Sequence, residues 1–274
     1  MEFNAKLQKT NYIIRQYLKE YDVLVLFSGG KDSLVALDMV IRNAVISGKH
    51  VKAIHVDTTI ETPGNIEYVQ KICKDYDVGL SLLKPKQSYF DMVKRYGFPT
   101  RSRRWCKWRL KVRPVRKFIK DMNMKNVILV SGLRIYESNL RKRMKEENFV
   151  KQKITFHNFL KCLVFHPLLD WNDKDIYTYV NRFHLKVNPL YQIYGRAFDC
   201  WCSPYKTPAN FAMLKINHPR LFDRLLMLER MLTSGGSALW DYNEKKKIYL
   251  SEIDKDPDKY LPSKYGLCHN CRGL

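Results

Sequence analysis

The sequence predicts an α/β protein: a doubly wound, mostly parallel β-sheet with a C-terminal helical appendage that bears cysteines. Residues 23–27 form a continuous apolar run, which is typical of a parallel strand buried on both faces. Gly29 and Gly30 end that run, and helical periodicity resumes from Ser33. Strand-like and helix-like segments then alternate as far as residue 131, which is the pattern of repeated βαβ units.

The elements follow in chain order from their periodicity. Residues 5–20 place apolar side chains at helical spacing and predict an amphipathic helix. Further strands are predicted at 51–57, 80–83 and 127–131, and helices at 33–40, 63–76, 88–95 and 107–121. Beyond residue 150 the pattern weakens; it predicts a last strand at 163–165, a helix that Asn172 or Asp173 caps, and two helices within 207–232.

We predict three regions: an N-terminal helix over residues 1–20, the α/β domain over 21–170, and a C-terminal helical region over 171–274 whose Cys-x-x-Cys tail folds onto that domain. No apolar run approaches the roughly 20 residues of a membrane helix. The N-terminus lacks the apolar stretch of a signal peptide. We therefore expect a cytoplasmic protein, in which seven cysteines indicate metal or redox chemistry rather than disulfides.

The positive charge is a second constraint on function. The chain has a formal net charge of +22, and residues 101–120 hold ten Lys or Arg residues and no acidic residue. Such a density repels itself unless an anion lies against it, so we expect a polyphosphate, a sulfated nucleotide or a nucleic-acid backbone there. The alternative is a solvated basic face.

A phosphate-binding loop is predicted between the first strand and the next helix. Its residues are Ser28, Gly29, Gly30, Lys31, Asp32 and Ser33. The glycines let backbone N–H groups approach an anion closely, and the helix N-terminus adds its positive dipole end. Lys31 and the serine hydroxyls can contact phosphate, while Asp32 either caps the helix or holds Mg²⁺. The loop has neither the spacing of a Walker A motif nor that of a Rossmann fingerprint.

This loop resembles the PP-loop of the N-type ATP pyrophosphatases, enzymes of the adenine nucleotide α-hydrolase-like superfamily that cleave ATP between its α- and β-phosphates to adenylate a substrate. Within that superfamily, the chain from about residue 22 to 205 resembles the phosphoadenosine phosphosulfate (PAPS) reductase family. The motifs that carry the resemblance are Asp57-Thr58, Cys106 ahead of Lys111-x-x-Pro114, Gly132-x-Arg134-x-x-Glu137-Ser138, Asn188-Pro189-Leu190-Tyr191 and Cys200-Trp201.

The resemblance implies that ATP, or a close adenine nucleotide, lies at the carboxyl ends of the parallel strands. Besides residues 28–33, the nucleotide-binding residues that it implies are Asp57, Thr58, Gly132 and Arg134. Arg134 would reach the α-phosphate or the substrate anion, and Asp32 would share Mg²⁺. True sulfonucleotide reductases have a degenerate loop, because their substrates carry a sulfate where ATP has two phosphates. The complete loop of this chain therefore favours ATP and a relative that adenylates or thiolates its substrate.

Five cysteines are candidate ligands of a metal or a cluster: Cys106, Cys200, Cys202, Cys268 and Cys271. In iron–sulfur members of the family, a cysteine pair at the position of Cys106 and a Cys-x-x-Cys at the position of Cys200 hold a 4Fe-4S cluster. This chain has Trp105 and Ser203 where two of those ligands would stand, and the C-terminal pair could replace them. A 4Fe-4S cluster is the expectation. Zinc and metal-free sulfur-carrying thiols are the alternatives.

The sequence thus predicts a PP-loop ATP pyrophosphatase-type sulfurtransferase that releases pyrophosphate and then delivers sulfur. The predicted catalytic residues are Lys31, Asp32, Arg134 and Cys202. Its predicted partners are an adenine nucleotide, an anionic acceptor such as tRNA or DNA along residues 101–120, and a sulfur donor protein; a homodimer is left open. The alternatives are a PAPS or adenylylsulfate reductase that releases sulfite, and a nucleic-acid-binding subunit that uses ATP structurally.

Two tryptophans in the basic segment have two interpretations. Trp105 and Trp108 could stack on an adenine or a flipped base, or they could anchor the helix to the protein.

Overall fold

A six-stranded sheet forms the centre of the computed structural model, which describes residues 2–124, 126–137, 153–197, 200–202, 206–232, 239–241 and 246–261. The strand order is β3-β2-β1-β4-β6-β5, and only β5 runs antiparallel to its neighbour. The strands are β1 (Asp22–Leu26), β2 (Lys52–Val56), β3 (Gly79–Leu83), β4 (Val127–Ser131), β5 (Ile154–His157) and β6 (Cys162–Phe165). The predicted doubly wound, mostly parallel sheet is confirmed.

Helices cover the sheet and build a second core beside it. They are α1 (Phe3–Glu20), α2 (Lys31–Ile46), α3 (Asn65–Asp75), α4 (Tyr89–Tyr96), α5 (Arg113–Asp121), α6 (Asp173–Arg182), α7 (Leu190–Tyr194), α8 (Pro208–Asn217), α9 (Pro219–Met231) and α10 (Leu250–Lys255). A π-helical segment, Lys107–Val112, leads directly into α5, and a small hairpin pairs β7 (Leu239–Asp241) with β8 (Lys246–Ile248).

The apolar runs of the strands divide between the two faces of the sheet. Val25 and Val130 pack into a core with α1, α2, α3 and α6, whereas Leu24 and Leu129 pack into a core with α5. Because side chains alternate along a strand, a strand that is covered on both faces must be apolar at every position. This explains why residues 23–27 read as a continuous apolar run.

The second core joins α4 to the helices α7–α10. Trp201 and Phe211 are fully buried there, and Cys106 and Cys200 lie in the same cluster. The three predicted regions, 1–20, 21–170 and 171–274, stay a prediction. We note that α6 shares the core of α1 and α2, while the segments from α7 onward share the second core.

Several differences from the sequence expectations have physical causes. The strand β5 was not predicted, because an edge strand is covered on fewer sides and keeps a mixed composition. The predicted helix 107–121 begins as a π-helix, and the helix expected from Pro63 begins at Asn65, after Gly64 turns the chain with φ 90°. Asn172 caps α6 as one of the two predicted options. The strand predicted at 163–165 is confirmed as β6, although it is not the last, since β7 and β8 follow it. The two helices that meet at His218 are confirmed.

Among the described residues, no helix is both long enough and apolar enough to cross a bilayer. The cytoplasmic location and the homodimer stay predictions. Cys268 and Cys271, with Ser138 and Ser203 of the family motifs, lie outside the described residues.

Candidate functional site

The predicted phosphate loop lies between the end of β1 and the first turn of α2. Gly29 has a φ of +84°, and a Cβ on it would lie 2.3 Å from Oδ1 of Asn65, so only glycine fits. Gly30 is extended and directly precedes α2, which begins at Lys31. The N–H groups of the first helical turn, which have no partner within the helix, therefore point out of the loop, as an anion site requires.

The two loop serines hold the shape of this turn. The Ser33 hydroxyl donates to the Gly30 carbonyl at 2.9 Å and accepts from the Ser28 backbone N–H at 3.3 Å. The two hydroxyl oxygens are 3.2 Å apart. Each hydroxyl can still reach a ligand oxygen, since a hydroxyl both donates and accepts.

Gly132 brings the end of β4 against this same turn. A Cβ at Gly132 would lie 2.7 Å from the backbone carbon of Asp32 and from the backbone nitrogen of Ser33. No side chain fits into that space. The close approach places Arg134, two residues further on, beside Asp32.

Four charged side chains form a network at the mouth of the loop. Arg134 Nε is 3.0 Å from Asp32 Oδ1, and its Nη2 is 2.8 Å from Asp173 Oδ1. Lys31 Nζ lies 3.2 Å from Asp32 and 3.9 Å from Asp173. Burial acts to lower the pKa of Arg134, but the two carboxylates outweigh it and raise that pKa above its ordinary value. The two positive and two negative charges balance, and Arg134 is only 1% exposed.

The predicted roles of these side chains therefore need qualification. In this arrangement Asp32 is bound to Arg134 and Lys31, and Arg134 is bound to two carboxylates. The roles of Asp32 in holding Mg²⁺ and of Arg134 in binding the α-phosphate stay predictions. Asp173 is the exposed member of the network, with 58% of its side chain accessible.

Asp57 and Thr58 lie directly after β2, as predicted. One Asp57 oxygen accepts the Thr59 backbone N–H at 2.8 Å, and the other is 3.2 Å from Lys84 Nζ. Thr58 is 1% exposed, and its hydroxyl has no hydrogen-bond partner among the described residues. A buried hydroxyl without a partner is costly, so a ligand group at the strand ends would stabilise it.

Residues that sequence reasoning missed support the loop from behind. The amide of Asn188 donates to the Gly29 carbonyl at 3.2 Å and to Asn65 Oδ1 at 2.9 Å. Asn65 donates in turn to the Ser28 carbonyl at 3.2 Å and to Glu61 at 2.8 Å. This chain of amides connects the loop to the segment that follows β2.

Tyr191 is the second residue that was missed. Its hydroxyl oxygen accepts the Lys31 backbone N–H at 3.0 Å. Burial, the largest influence, raises the pKa of Tyr191 to about 12, so the phenol keeps its proton. The Asn188-to-Tyr191 motif was quoted from the sequence, but nothing local in it indicated a contact with the loop.

Cys106, Cys200 and Cys202 lie together in the second core. The sulfur atoms of Cys200 and Cys202 are 2.9 Å apart, and Cys202 shares a hydrogen bond with Cys106. That bond lowers the pKa of Cys106, and the same bond contributes most to raising the pKa of Cys202 to about 12. The shared hydrogen bond therefore favours the thiolate form at Cys106 and the protonated form at Cys202.

The cluster is tied to the phosphate loop through one segment of the chain. The Trp201 backbone N–H donates to the Ile60 carbonyl at 2.8 Å, and its indole N–H donates to the Thr62 hydroxyl at 2.9 Å. Ile60 and Thr62 lie between Asp57 and Asn65. Residues 57–65 thus contact both the loop and Trp201, which lies between Cys200 and Cys202 in the chain.

The described thiols do not have the spacing of metal ligands. Two thiolates that bind one tetrahedral zinc at about 2.3 Å are roughly 3.8 Å apart, and ligands of different irons in a cluster are further apart still. At 2.9 Å, Cys200 and Cys202 are too close for either. Among the described residues, no group of three or more His, Cys, Asp or Glu side chains is arranged to hold a metal ion.

The two tryptophans differ in what they contact, and base stacking by Trp108 stays a prediction. Trp105 stacks on Tyr89 with 5.7 Å between ring centroids and donates its indole N–H to the Gly97 carbonyl, so it anchors the segment. Trp108 contacts the exposed Phe159 edge-on at 5.0 Å.

The sheet order, the loop at its switch point and the site around it define an α/β protein of the PP-loop ATPase-like class. Within that class, the chain belongs to the phosphoadenosine phosphosulfate reductase domain family, which matches residues 22–205.

Two relatives show how far the sequence similarity extends. The chain is 30% identical over 228 residues to the uncharacterized protein MJ0973 of Methanocaldococcus jannaschii, covering 80% of this chain and 52% of that protein. It is 26% identical over 195 residues to the adenosine 5'-phosphosulfate reductase of Anoxybacillus flavithermus, covering 69% of this chain and 74% of the reductase. The chain thus spans about half the length of MJ0973.

Three solved structures share the fold. The PAPS reductase of Candida auris has a TM-score of 0.52 at 19% identity, covering 72% of this chain and 95% of the reductase. The U34-tRNA thiolase NcsA of Methanococcus maripaludis, solved with its [4Fe-4S] cluster, has a TM-score of 0.52 at 17% identity, covering 84% and 80%. The Candida glabrata FMN adenylyltransferase, with FAD and pyrophosphate, has a TM-score of 0.52 at 12% identity, covering 70% and 63%.

Proposed function

We propose that the chain is a PP-loop sulfurtransferase, which adenylates an acceptor with ATP and then replaces the adenylate with sulfur. The observation that carries the proposal is the connection of a complete phosphate loop to a three-thiol cluster through residues 57–65. A protein that only bound ATP would need no thiolate there. A plain thiol carrier would need no phosphate loop.

ATP would lie at the carboxyl ends of β1, β2 and β4. Its β- and γ-phosphates would accept hydrogen bonds from the N–H groups of the loop and would pair with Lys31, and Asp32 would hold Mg²⁺, which would neutralise phosphate charge. The Thr58 hydroxyl and the Asp57 carboxylate would meet the adenosine or the metal. A ligand there would give the buried Thr58 hydroxyl the partner that it lacks among the described residues.

In the first step, an oxygen of the acceptor attacks the α-phosphorus. The bond from that phosphorus to the oxygen bridging to the β-phosphate breaks, and pyrophosphate leaves with the electron pair. The acceptor is left as an adenylate. Positioning and charge neutralisation by the loop would supply most of the acceleration.

In the second step, the thiols deliver sulfur. The Cys106 thiolate takes a sulfur atom from a persulfide-bearing donor protein, and the terminal sulfur of the new Cys106 persulfide attacks the activated carbon. The carbon–oxygen bond breaks and AMP leaves. The Cys202 thiol then attacks the Sγ atom of Cys106, and the thiolated product leaves with the proton of Cys202. A Cys106–Cys202 disulfide remains, and a dithiol reductant converts it back to two thiols.

We assign this route to the thiols themselves. A 4Fe-4S cluster would draw on Cys106, Cys200 and Cys202 with Cys268 and Cys271, but the 2.9 Å separation in the cluster does not fit two ligands. The cluster of the Methanococcus maripaludis thiolase belongs to a protein 17% identical to this one. The proposed sulfur-transfer step therefore uses the thiols and no iron–sulfur cluster.

Pyrophosphate release tests the proposal. The chain is mixed with ATP, Mg²⁺, a persulfide donor and candidate acceptors, beginning with unmodified tRNA, and pyrophosphate, AMP and acceptor-bound sulfur are measured. We expect the three in equal amounts. Lys31→Ala should abolish pyrophosphate release, and the surface variant Lys9→Ala should not. The absence of pyrophosphate with every acceptor would contradict the adenylation step.

A reductase is the second candidate. The similarity to the Anoxybacillus flavithermus adenosine 5'-phosphosulfate reductase favours it. In that case a thiolate would attack the sulfur of a sulfonucleotide, and sulfite would be released by a thiol reductant without ATP cleavage. Sulfite from PAPS or adenylylsulfate, with no pyrophosphate from ATP, would replace the first proposal by this one.

A further inference from the structure

The β5–β6 hairpin places exposed aromatic side chains against the basic segment. Phe156 and Phe159 are 56% and 60% exposed, which is unusual for phenylalanine in a folded protein. The Phe159 ring lies 5.0 Å from Trp108 and 6.2 Å from His157. We call Trp108, His157 and Phe159 the aromatic platform.

Backbone hydrogen bonds and one charge define the platform. His157 Nδ1 accepts the Leu160 backbone N–H at 3.2 Å, and the Lys161 N–H donates to the His157 carbonyl at 2.8 Å. Burial, with the charge of Lys107, lowers the pKa of His157, so its ring is neutral near pH 7. His157 and Phe159 therefore present uncharged rings on a fixed turn, with Trp108 of the π-helical segment in contact with Phe159.

Exposed cations lie on either side of Trp108 in the chain. Arg103, Arg113, Arg116 and Lys120 are exposed, and none of them forms an ion pair with a carboxylate of the described residues. Lys117 of the same helix pairs with Asp121 instead. Cations that are spaced along a helix and left without acidic partners suit a chain of phosphates.

The two features together indicate an unpaired nucleic acid. Exposed rings contribute nothing to binding a paired duplex, whose bases are already stacked, but they bind the face of any unstacked base. Proteins recognise RNA mostly at such unpaired loops. An acidic protein would use the cations and leave the rings without a role.

We propose that the aromatic platform and the exposed cations of residues 103–120 bind an unpaired loop of a structured RNA, with one base stacked on Phe159. The inference rests on the proposed function for its purpose. Trp108 follows Cys106 by two residues, so their backbones are about 3 Å apart along the helical axis, and their side chains leave the helix on different faces. Under the proposed function, the RNA loop is the acceptor.

Binding of fluorescein-labelled RNA, followed by anisotropy without ATP, tests the surface separately from the reaction. The probes are an RNA hairpin with an unpaired loop and a blunt duplex of the same stem. Phe159→Ala should weaken hairpin binding by about 5- to 150-fold, the range for losing one stacked base, and leave duplex binding unchanged. Phe159→Trp should keep the affinity for the hairpin. Tyr12→Ala, which removes an aromatic ring 59% exposed on α1, is the matched control.

The charges are tested by salt. Arg116→Gln should weaken both probes and reduce the slope of log affinity against log salt by about 0.7 for the loop, while Lys9→Gln, an exposed lysine of α1, should not. Equal binding of hairpin and duplex, equal binding of a single-stranded DNA of the loop sequence, or no effect of Phe159→Ala would overturn the proposal. Because Lys31→Ala should lose ATP binding yet keep RNA binding, failure of the proposed function would be seen separately.

Discussion

The Tyr191 hydroxyl oxygen accepts the backbone N–H of Lys31, the first residue of α2, at 3.0 Å. A phenolic oxygen that accepts an N–H group still has its own proton to donate. That proton therefore lies at the edge of the phosphate loop, where a phosphate oxygen is the natural acceptor. Tyr191 positions the loop on one side and completes the anion site on the other.

Tyr191→Phe should weaken ATP binding. The change removes one hydrogen bond to a charged phosphate and leaves the Lys31 N–H without its partner, which together should raise the dissociation constant by about 10- to 150-fold. Isothermal titration calorimetry with a non-hydrolysable ATP analogue measures it. Tyr177→Phe is the control, since Tyr177 is 52% exposed and its ring, which lies over Lys31, is retained. Equal affinities of the two variants for the ATP analogue would show that Tyr191 does not contribute to the ATP site.

Asp173→Ala should strengthen ATP binding. Asp173 is the exposed carboxylate of the network at the loop mouth, so it repels phosphates, and its loss leaves Arg134 still paired with Asp32. We expect the ATP dissociation constant to fall by about two- to tenfold at low salt and the free energy of unfolding to change by less than about 1 kcal/mol. Weaker ATP binding would show instead that Asp173 is needed to orient Arg134. The isosteric Asp173→Asn separates loss of charge from loss of the side chain.

The elements that could be predicted are those whose burial is indicated by the local order of apolar and polar residues. The apolar run of β1 and the glycines after it specify a strand, a turn and a helix within residues 23–40, and the structure confirms them. The strand β5 could not be predicted, because only β6 pairs with it and Phe156 stays exposed. The local sequence pattern indicates how buried a segment is, and an edge strand is less buried than a central one. Its pattern is therefore weaker.

Tertiary contacts explain what else was missed at the site. Tyr191 and Asn188 reach the loop from about 160 residues further along the chain. Their side chains carry no signal of their own, because only the path of the chain between β6 and α7 brings them there. The pairing of Asp32 with Arg134 was equally hidden, since both had been assigned to a ligand. It arises from the close approach at Gly132, which a sequence shows only as one more glycine.

Cys106 should be the reactive thiol. Its pKa is lowered, first of all by the hydrogen bond from Cys202, so its alkylation rate by iodoacetamide should reach half its maximum below the roughly pH 8.5 of a free cysteine. Cys202→Ala removes that bond and should move the midpoint upward. Burial raises the pKa values of Cys73 and Cys162 to about 11, so these thiols should stay unlabelled at neutral pH. Mass spectrometry of tryptic peptides assigns the label, and preferential labelling of Cys202 would contradict the assignment.

Metal content distinguishes cysteines that carry sulfur as free thiols from cysteines that bind a metal or a cluster. Because Cys200 and Cys202 are too close to be two ligands, we expect protein purified without oxygen to carry iron and sulfide, or zinc, far below one per chain. Brown protein with iron and sulfide near stoichiometry would contradict this and restore the cluster expected from the sequence. The double variant Cys268→Ser with Cys271→Ser would then show whether the C-terminal pair supplies ligands.

Gly132→Ala should both destabilise the protein and weaken ATP binding. The added Cβ would lie 2.7 Å from the backbone of Asp32 and Ser33, so either β4 or the first turn of α2 must move. Such overpacking costs about 1–3 kcal/mol in the free energy of unfolding, measured by urea denaturation. Gly79→Ala is the matched control, because its Cβ would meet only the Lys52 side chain, at 3.9 Å. The shift moves the N–H groups of the loop away from the phosphates, so ATP affinity should fall even at temperatures where the variant is fully folded. A folded Gly132→Ala protein with normal affinity would show that the loop tolerates displacement, and that the N–H groups of α2 do not set the position of the phosphates.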